Sequence, residues 1–116
     1  MLRRVFLTLT PTLVALTLVA LPAVAQSIAG NYTAFGMNPD GSKYTGSVVI
    51  NEGSNGKVSM SWQVGAQRYE GSGQRVDRVV TVHWGAATPV VYVTMPGGEL
   101  HGTWNGGEAL ERLVRR

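Results

Sequence analysis

His83 and His101 are the only histidines in the 116-residue chain. A metal site built on them would need further ligands, and Glu70 and Glu99 are the acidic candidates. A catalytic zinc takes three protein ligands plus water, and nothing in the sequence fixes such a set. Strand parity, set out below, turns both histidines outward, so solvated side chains account for them and no metal is expected. Ser72 lies between Gly71 and Gly73, but the nucleophile-elbow spacing and its strand-to-helix turn are missing. Glu108 and Glu111 form a carboxylate pair by type, and a solvated face near the C-terminus accounts for them. Asp40 lies in the turn Asn38-Pro39-Asp40-Gly41, where it is expected to bond local backbone N–H groups. Gly97-Gly98 has neither the lysine nor the helix start that a phosphate loop needs. Asn31-Tyr32-Thr33 is a glycosylation sequon whose use depends on the host. The residues therefore describe no catalytic set and no cofactor motif, and the expectation is a protein that is not an enzyme.

One constellation remains. Tyr44, Trp62, Tyr69, Trp84, Tyr92 and Trp104 carry large rings with a polar handle, and a buried Trp N–H or Tyr O–H usually needs a partner. Two readings compete. Either the six form the core and bond the backbone or one another, or they line a pocket at one mouth of a barrel for a small flat or sugar-like ligand. An eight-stranded barrel has room for one small ligand. The core reading is favoured, because a short chain without disulfides has little aromatic area to spare.

These rings need strands to position them. Turn signals recur at Asn38-Pro39-Asp40-Gly41, Gly53-Ser54-Asn55-Gly56, Gly65-Ala66, Val76-Asp77, 85–89, Pro96-Gly97-Gly98 and Asn105-Gly106-Gly107. Runs of 6–10 residues rich in Val, Thr, Tyr and Trp lie between them. This spacing reads as an all-β meander. The expected strands are 30–36, 42–51, 57–64, 67–76, 78–84, 90–95, 99–104 and 107–113. Over 109–113 a short helical turn competes, since Ala, Leu, Glu and Arg are good helix formers.

Side chains alternate across a strand, so parity assigns faces. Val58, Met60, Trp62 and Val64 share one face, opposite Lys57, Ser59, Ser61 and Gln63. Val80, Val82 and Trp84 go together, as do Leu100, Gly102 and Trp104, and Tyr44, Gly46, Val48 and Ile50. Tyr44/Gly46, Tyr69/Gly71/Gly73 and Leu100/Gly102 each put a large residue beside a glycine on the inner face. KYTGSV, RYEGSG and ELHGTW thus read as a weak internal repeat. A glycine within a strand is costly unless its space is needed, and alternating small and large inward residues fill a small barrel. An open sheet would expose two edges. The expected fold is therefore a small antiparallel up-and-down meander of about eight strands, closed or half-closed into a barrel. The alternative is an open meander that forms a homodimer through its apolar face.

The N-terminus has a different composition. Met1-Leu2-Arg3-Arg4 is a short basic segment, an apolar run extends from Val5 to Leu21, and Ala23-Val24-Ala25 matches a signal-peptidase site. Residues 1–25 are expected to be a cleaved signal peptide, leaving 26–116 as one β-domain with no stable membrane span. Arg3-Arg4 also fits the twin-arginine export pattern, although so apolar a run suits the general secretion route. The chain holds no cysteine, which excludes disulfides, thiolate metal sites and a lipid-anchored lipoprotein. The net charge is +3, from 10 basic and 7 acidic residues. Loss of Arg3 and Arg4 leaves 8 against 7, a net +1. The remaining basic cluster, Arg112, Arg115 and Arg116, reads as a frayed tail, so no nucleic-acid partner is expected.

Gly30-Asn31-Tyr32, Asn38-Pro39-Asp40-Gly41, Tyr44-x-Gly46, Trp62, Tyr69-x-Gly71-x-Gly73, Val82-x-Trp84-Gly85, Pro89-Val90-Val91-Tyr92 and Gly98-x-Leu100-x-Gly102-x-Trp104 follow one another in an order that resembles small exported bacterial proteins often labelled fibronectin-binding. The resemblance covers nearly all of 26–116. It implies a secreted or surface protein that binds a host matrix protein, and it assigns no binding residues; a periplasmic location and an envelope protein as partner are the further expectations for an exported chain. The Gly-x-Trp pieces are similar, more thinly, to avidin-like barrels, without the long polar loops that close over a ligand there. The expected function is an exported, non-enzymatic binding protein acting through an outer strand face or an exposed edge. The alternative is a small-ligand carrier with an aromatic-lined pocket.

Overall fold

A computed structural model of the protein describes residues 26–116, and the expected signal segment lies outside the described residues. Eight strands follow one another: β1 (Gly30–Met37), β2 (Lys43–Glu52), β3 (Lys57–Val64), β4 (Gln67–Val76), β5 (Val79–His83), β6 (Val90–Thr94), β7 (Leu100–Trp104) and β8 (Ala109–Arg115). Each pairs antiparallel with the next, and β8 returns to pair with β1. The meander is thus a closed barrel. Closure satisfies the backbone groups that an open sheet would leave along its two edges.

Alternation fixes the register. In β3, Val58, Met60 and Trp62 are buried while Lys57, Ser59 and Gln63 are exposed. A slip of one residue would bury Lys57 and expose Trp62. Tyr32, Val48, Ile50, Val80, Val82 and Leu100 meet in the interior, each no more than 1% exposed. His83 and His101 face outward, and His101 lies 3.1 Å from Glu99.

At the C-terminal end the strand expected over 107–113 is found, shifted to Ala109–Arg115, the competing helical turn is not, and the reading of a frayed tail is corrected. Residues 109–115 form a strand, with no helical turn inside it. Its ladders to both β7 and β1 are the ones that close the barrel, and this tertiary pairing outweighs helix propensity. The basic residues are likewise not a frayed tail. Arg112 lies 3.5 Å from Glu99 and 5.2 Å from the Phe35 ring centroid. Arg115 donates to the carbonyls of Ala29 (2.9 Å) and Ser27 (3.1 Å).

The inner-face glycines divide into two kinds. A Cβ at Gly36 would collide with the Tyr44 ring, and one at Gly102 would lie 2.5 Å from Tyr92 Cδ1. At Gly71 it would meet the His83 carbonyl oxygen and Val82 Cγ1, both at 2.8 Å, and Trp62 Cζ3 at 3.1 Å, so this glycine also admits the neighbouring backbone. These glycines vacate space for side chains. At Gly46 the closest atom is the Gln63 carbonyl oxygen at 2.6 Å, and at Gly73 it is the Thr81 carbonyl oxygen. Those two admit the backbone of the next strand, the use expected where a strand coils sharply.

The two ends of the barrel differ. At the lower end, residues 26–29 fold beneath the strands and bury Ile28. Tyr32 Oη donates to the Ile28 carbonyl at 2.7 Å. Glu52 accepts the Ile28 backbone N–H (2.8 Å), the Ser27 hydroxyl (3.1 Å) and Arg75 Nη1 (3.0 Å). Arg75 also donates to the Gln26 carbonyl at 2.8 Å. At the upper end, loops 38–42, 65–66, 84–89 and 105–108 surround the mouth.

Candidate functional site: the aromatic mouth

The site is built on one row of the barrel. Tyr44 on β2 faces Gly36 on β1, and Gly36 faces Glu111 on β8. Glu111 then faces Gly102 on β7, and Gly102 faces Tyr92 on β6. A carboxylate therefore stands between two glycines, with a tyrosine beyond each. Both tyrosines lean over their glycine and point their hydroxyls back to Glu111. Tyr44 Oη donates to Oε1 at 2.9 Å, and Tyr92 Oη donates to Oε2. From the opposite wall, Trp62 Nε1 reaches Glu111 Oε2 at 3.1 Å and Tyr92 Oη at 3.2 Å. Trp104 Nε1 completes the set by donating to Tyr44 Oη at 3.0 Å.

Glu111 is 5% exposed and is the one buried charged residue among the described residues. Burial pushes its carboxyl above the usual range, while the hydrogen bonds from Tyr92, Tyr44 and Trp62 pull the other way. Burial and the adjacent Glu111 both raise the phenols of Tyr44 and Tyr92 above their ordinary value. Three donors converge on the two oxygens, and an ionised carboxylate is the acceptor-only form that matches them.

Above this network the rings form a collar. Tyr44 and Trp104 meet edge to face, with centroids 6.3 Å apart. Trp104 and Trp84 follow at 5.9 Å and 89°, and Trp84 and Tyr69 at 5.7 Å and 80°. The collar, with Asn38, Trp62, Val64, Val90 and Glu111, lines a cavity of about 160 Å³. Trp84 Nε1 is buried and has no hydrogen-bond partner. It is the one such side-chain group among the described residues.

Comparison with known protein families, curated proteins and solved structures returned no match. The site has therefore to be read from its own chemistry.

The six rings expected from the sequence divide between the two readings weighed for them. Tyr92 is fully buried and Trp62 is 5% exposed, so both belong to the core. Trp84 and Trp104 are partly buried and pack against that core while lining the cavity. Tyr44 is partly buried and Tyr69 is 38% exposed at the rim. Tyr92 takes no part in the cavity wall and acts through Glu111. Asp40 behaves as expected, accepting the Ser42 backbone N–H at 2.9 Å.

Glu111 was expected on a solvated face, and that is corrected. It faces inward with Ala109 and Leu113, opposite Leu110 and Arg112. The alternation was available in Ala109-Leu110-Glu111-Arg112-Leu113. A helical period over the same residues hid it, since Glu108 and Glu111 then share an exposed face.

Proposed function

We propose that this chain is an exported, non-enzymatic binding protein that takes a small ligand into the aromatic mouth of its barrel. The observation that carries this reading is the Trp84 N–H. A buried donor without a partner is costly, by about 1–3 kcal/mol. Its ring walls the cavity, and a ligand that shifts the ring slightly would bring an acceptor to this N–H, which is closed off in the free protein. The lower end is filled by residues 26–29, so the upper mouth is the route of access. A cavity of about 150 Å³ accepts a benzene-sized guest, which sets the scale of the buried part of the ligand at one ring or one compact head group. Tryptophan fluorescence titrations with benzamide, phenol and indole test the reading. Saturable quenching that weakens in Trp84→Phe supports it. An unchanged spectrum with every compound argues against the mouth as a binding site.

A second reading rests on the outer surface. Phe35, Val93 and Leu110 are exposed and line one groove with Val91 and Arg112. Contiguous exposed apolar surface marks interaction sites, and an extracellular or envelope protein is the partner this reading names. Barrel closure leaves no free edge among the described residues, so such a partner would use the strand face. Phe35→Lys and Leu110→Lys would abolish capture of a matrix protein such as fibronectin while leaving ligand titrations in the mouth unchanged.

A further inference from the structure

We infer that the mouth takes a small organic cation, its quaternary ammonium head seated in the collar of Tyr44, Tyr69, Trp84 and Trp104 with Glu111 as counter-ion. This rests on the mouth being a ligand site, as proposed above, and adds the chemical class of the ligand.

The charge of the mouth favours a cation. Glu111 is the only charged residue in the lining. Buried charges are normally paired with an opposite charge or a metal, yet the partners of Glu111 are two phenols and an indole, all neutral. The strands bring no basic side chain into the interior of the upper end; Arg68, at that end, is exposed and paired with Glu70 on the outer face. Arg75 and Arg115 share the inward parity of their strands, but they lie at the lower end and hold Glu52 and the carbonyls of 26–29. Lys43 and Arg112 belong to the outer face, where Arg112 is engaged with Glu99 and Phe35. The cavity thus carries a negative charge without a protein counter-charge, and a bound cation would supply it.

The aromatic wall favours it as well. Ring faces are electron-rich, tryptophan most of all, and a cation within about 6 Å of a ring centroid is attracted to it. Neighbouring rings of the collar turn to one another at 65°, 80° and 89°, so they present surfaces to the cavity from several directions. A flat neutral guest gains most from parallel walls, which this collar lacks. A compact, roughly spherical cation uses perpendicular ones.

The hydrogen bonds of Glu111 select the head group. Three donors already occupy the Glu111 oxygens, so little acceptor capacity remains for an N–H-bearing ammonium. A permethylated nitrogen has no donor to satisfy. It asks only for charge and van der Waals contact, and its size suits a cavity of about 160 Å³. The Trp84 N–H asks in addition for an acceptor, such as a hydroxyl or carbonyl oxygen, further along the ligand.

Calorimetric titration of the purified protein with choline chloride and with 3,3-dimethylbutan-1-ol isolates the charge. The two share shape and hydroxyl, and differ by a positive nitrogen in place of carbon. The expected result is saturable choline binding at least about tenfold tighter than the alcohol. That preference should vanish in Glu111→Gln. In the wild type it should fade as pH falls and Glu111 is protonated. Glu111 is the one carboxyl in the cavity lining, where the only phenols are those of Tyr44 and Tyr69. The pH series decides the matter if Glu111→Gln does not fold. Equal affinity for the two compounds overturns the cation inference and leaves the ligand site standing. So does binding of benzamide or phenol without binding of choline. If none of these compounds binds, the ligand site fails together with the inference.

Discussion

Tyr44 and Glu111 lie two strands apart in one row, with Gly36 alone between them, and meet Oη to Oε1 at 2.9 Å. Neighbouring strands are about 4.8 Å apart, so a side chain on one strand normally stops at its neighbour. The missing Cβ of Gly36 lets the phenol lie across β1 and reach the second strand. Gly102 does the same for Tyr92 from the other side. The buried carboxylate is held because the two positions flanking it have no side chain.

A side chain at Gly36 should therefore cost stability through Tyr44. Gly36→Val would force the ring off Glu111 and leave that oxygen short of a donor. Overpacking costs about 1–3 kcal/mol, and the lost hydrogen bond adds to it. Chemical denaturation measures the change. An unaltered midpoint would show that the Tyr44–Glu111 contact contributes nothing to the fold.

Gly46→Val tests the other kind of inner glycine. Its Cβ would approach the Gln63 carbonyl oxygen to 2.6 Å, and backbone in a ladder yields less readily than a ring. The loss should equal or exceed that at Gly36, and it should appear without any change in tyrosine environment. Near-ultraviolet circular dichroism together with thermal melting separates the two cases. Disturbed tyrosine signals in Gly46→Val would contradict this assignment.

The buried Glu111 and the half-buried Glu52, at opposite ends, should respond to pH with opposite sign. Glu111 is raised above the ordinary glutamate value of 4.5, first by burial. Its folded form holds the proton more tightly than the unfolded chain does. That contribution is fully present below the unfolded value and is lost as pH rises through the folded one. Glu52 is lowered: burial raises it, but the Ile28 N–H, Arg75 and Ser27 together outweigh burial. Its contribution is present above the ordinary value and is lost as pH falls through its folded value. Melting curves from pH 3 to 8 should show the advantage of wild type over Glu111→Gln shrinking as pH rises, and the advantage over Glu52→Gln growing. Parallel curves would refute both assignments.

Much of this was legible in the sequence, for one physical reason. A period of two, punctuated by turn residues, fixes which side chains face inward, and the inward faces of β2, β3, β5 and β7 follow from it directly. Eight strands with large and small inward residues then favour a closed or half-closed barrel over an open sheet. Glu111 escaped because its segment satisfies two periods at once, and only pairing with β1 and β7 selects the strand. The collar was visible as a list of rings but not as a cavity. Whether six rings fill a space depends on how far each strand extends past its neighbour, and register of that kind is not written in local pattern. The lower plug was equally hidden, since nothing in Gln26-Ser27-Ile28-Ala29 announces that Glu52, Arg75 and Arg115 will hold its backbone.

That plug should open when its ion pair is broken. Arg75 and Glu52 have side chains only 10% and 15% exposed, and removing one partner of a buried pair costs up to about 3–5 kcal/mol. Arg75→Ala also frees the Gln26 carbonyl. Hydrogen exchange should accelerate at the Ile28 amide, which Glu52 accepts, before it does at β2 or β3. Uniform acceleration across the barrel would mean that residues 26–29 are part of the global unfolding unit rather than a separate plug.

Trp84→Phe removes the unpartnered N–H and keeps most of the ring. Its pairings with Tyr69 and Trp104 at 5.7 and 5.9 Å are edge contacts that a phenyl ring can still make. Two effects on the free protein oppose one another. The smaller ring buries less apolar area, and the costly buried donor is gone. Removing a buried donor with no partner returns about 1–3 kcal/mol, of the same order as the loss from a modest truncation in a core. The free variant should therefore melt within a few degrees of wild type while ligand affinity in the mouth drops. A clear loss of stability would show that the indole N–H is satisfied in the free protein, by water at the rim, and would remove the reason for placing a ligand acceptor against it. Paired thermal melts and fluorescence titrations of this one variant, read through Trp62 and Trp104, distinguish the two.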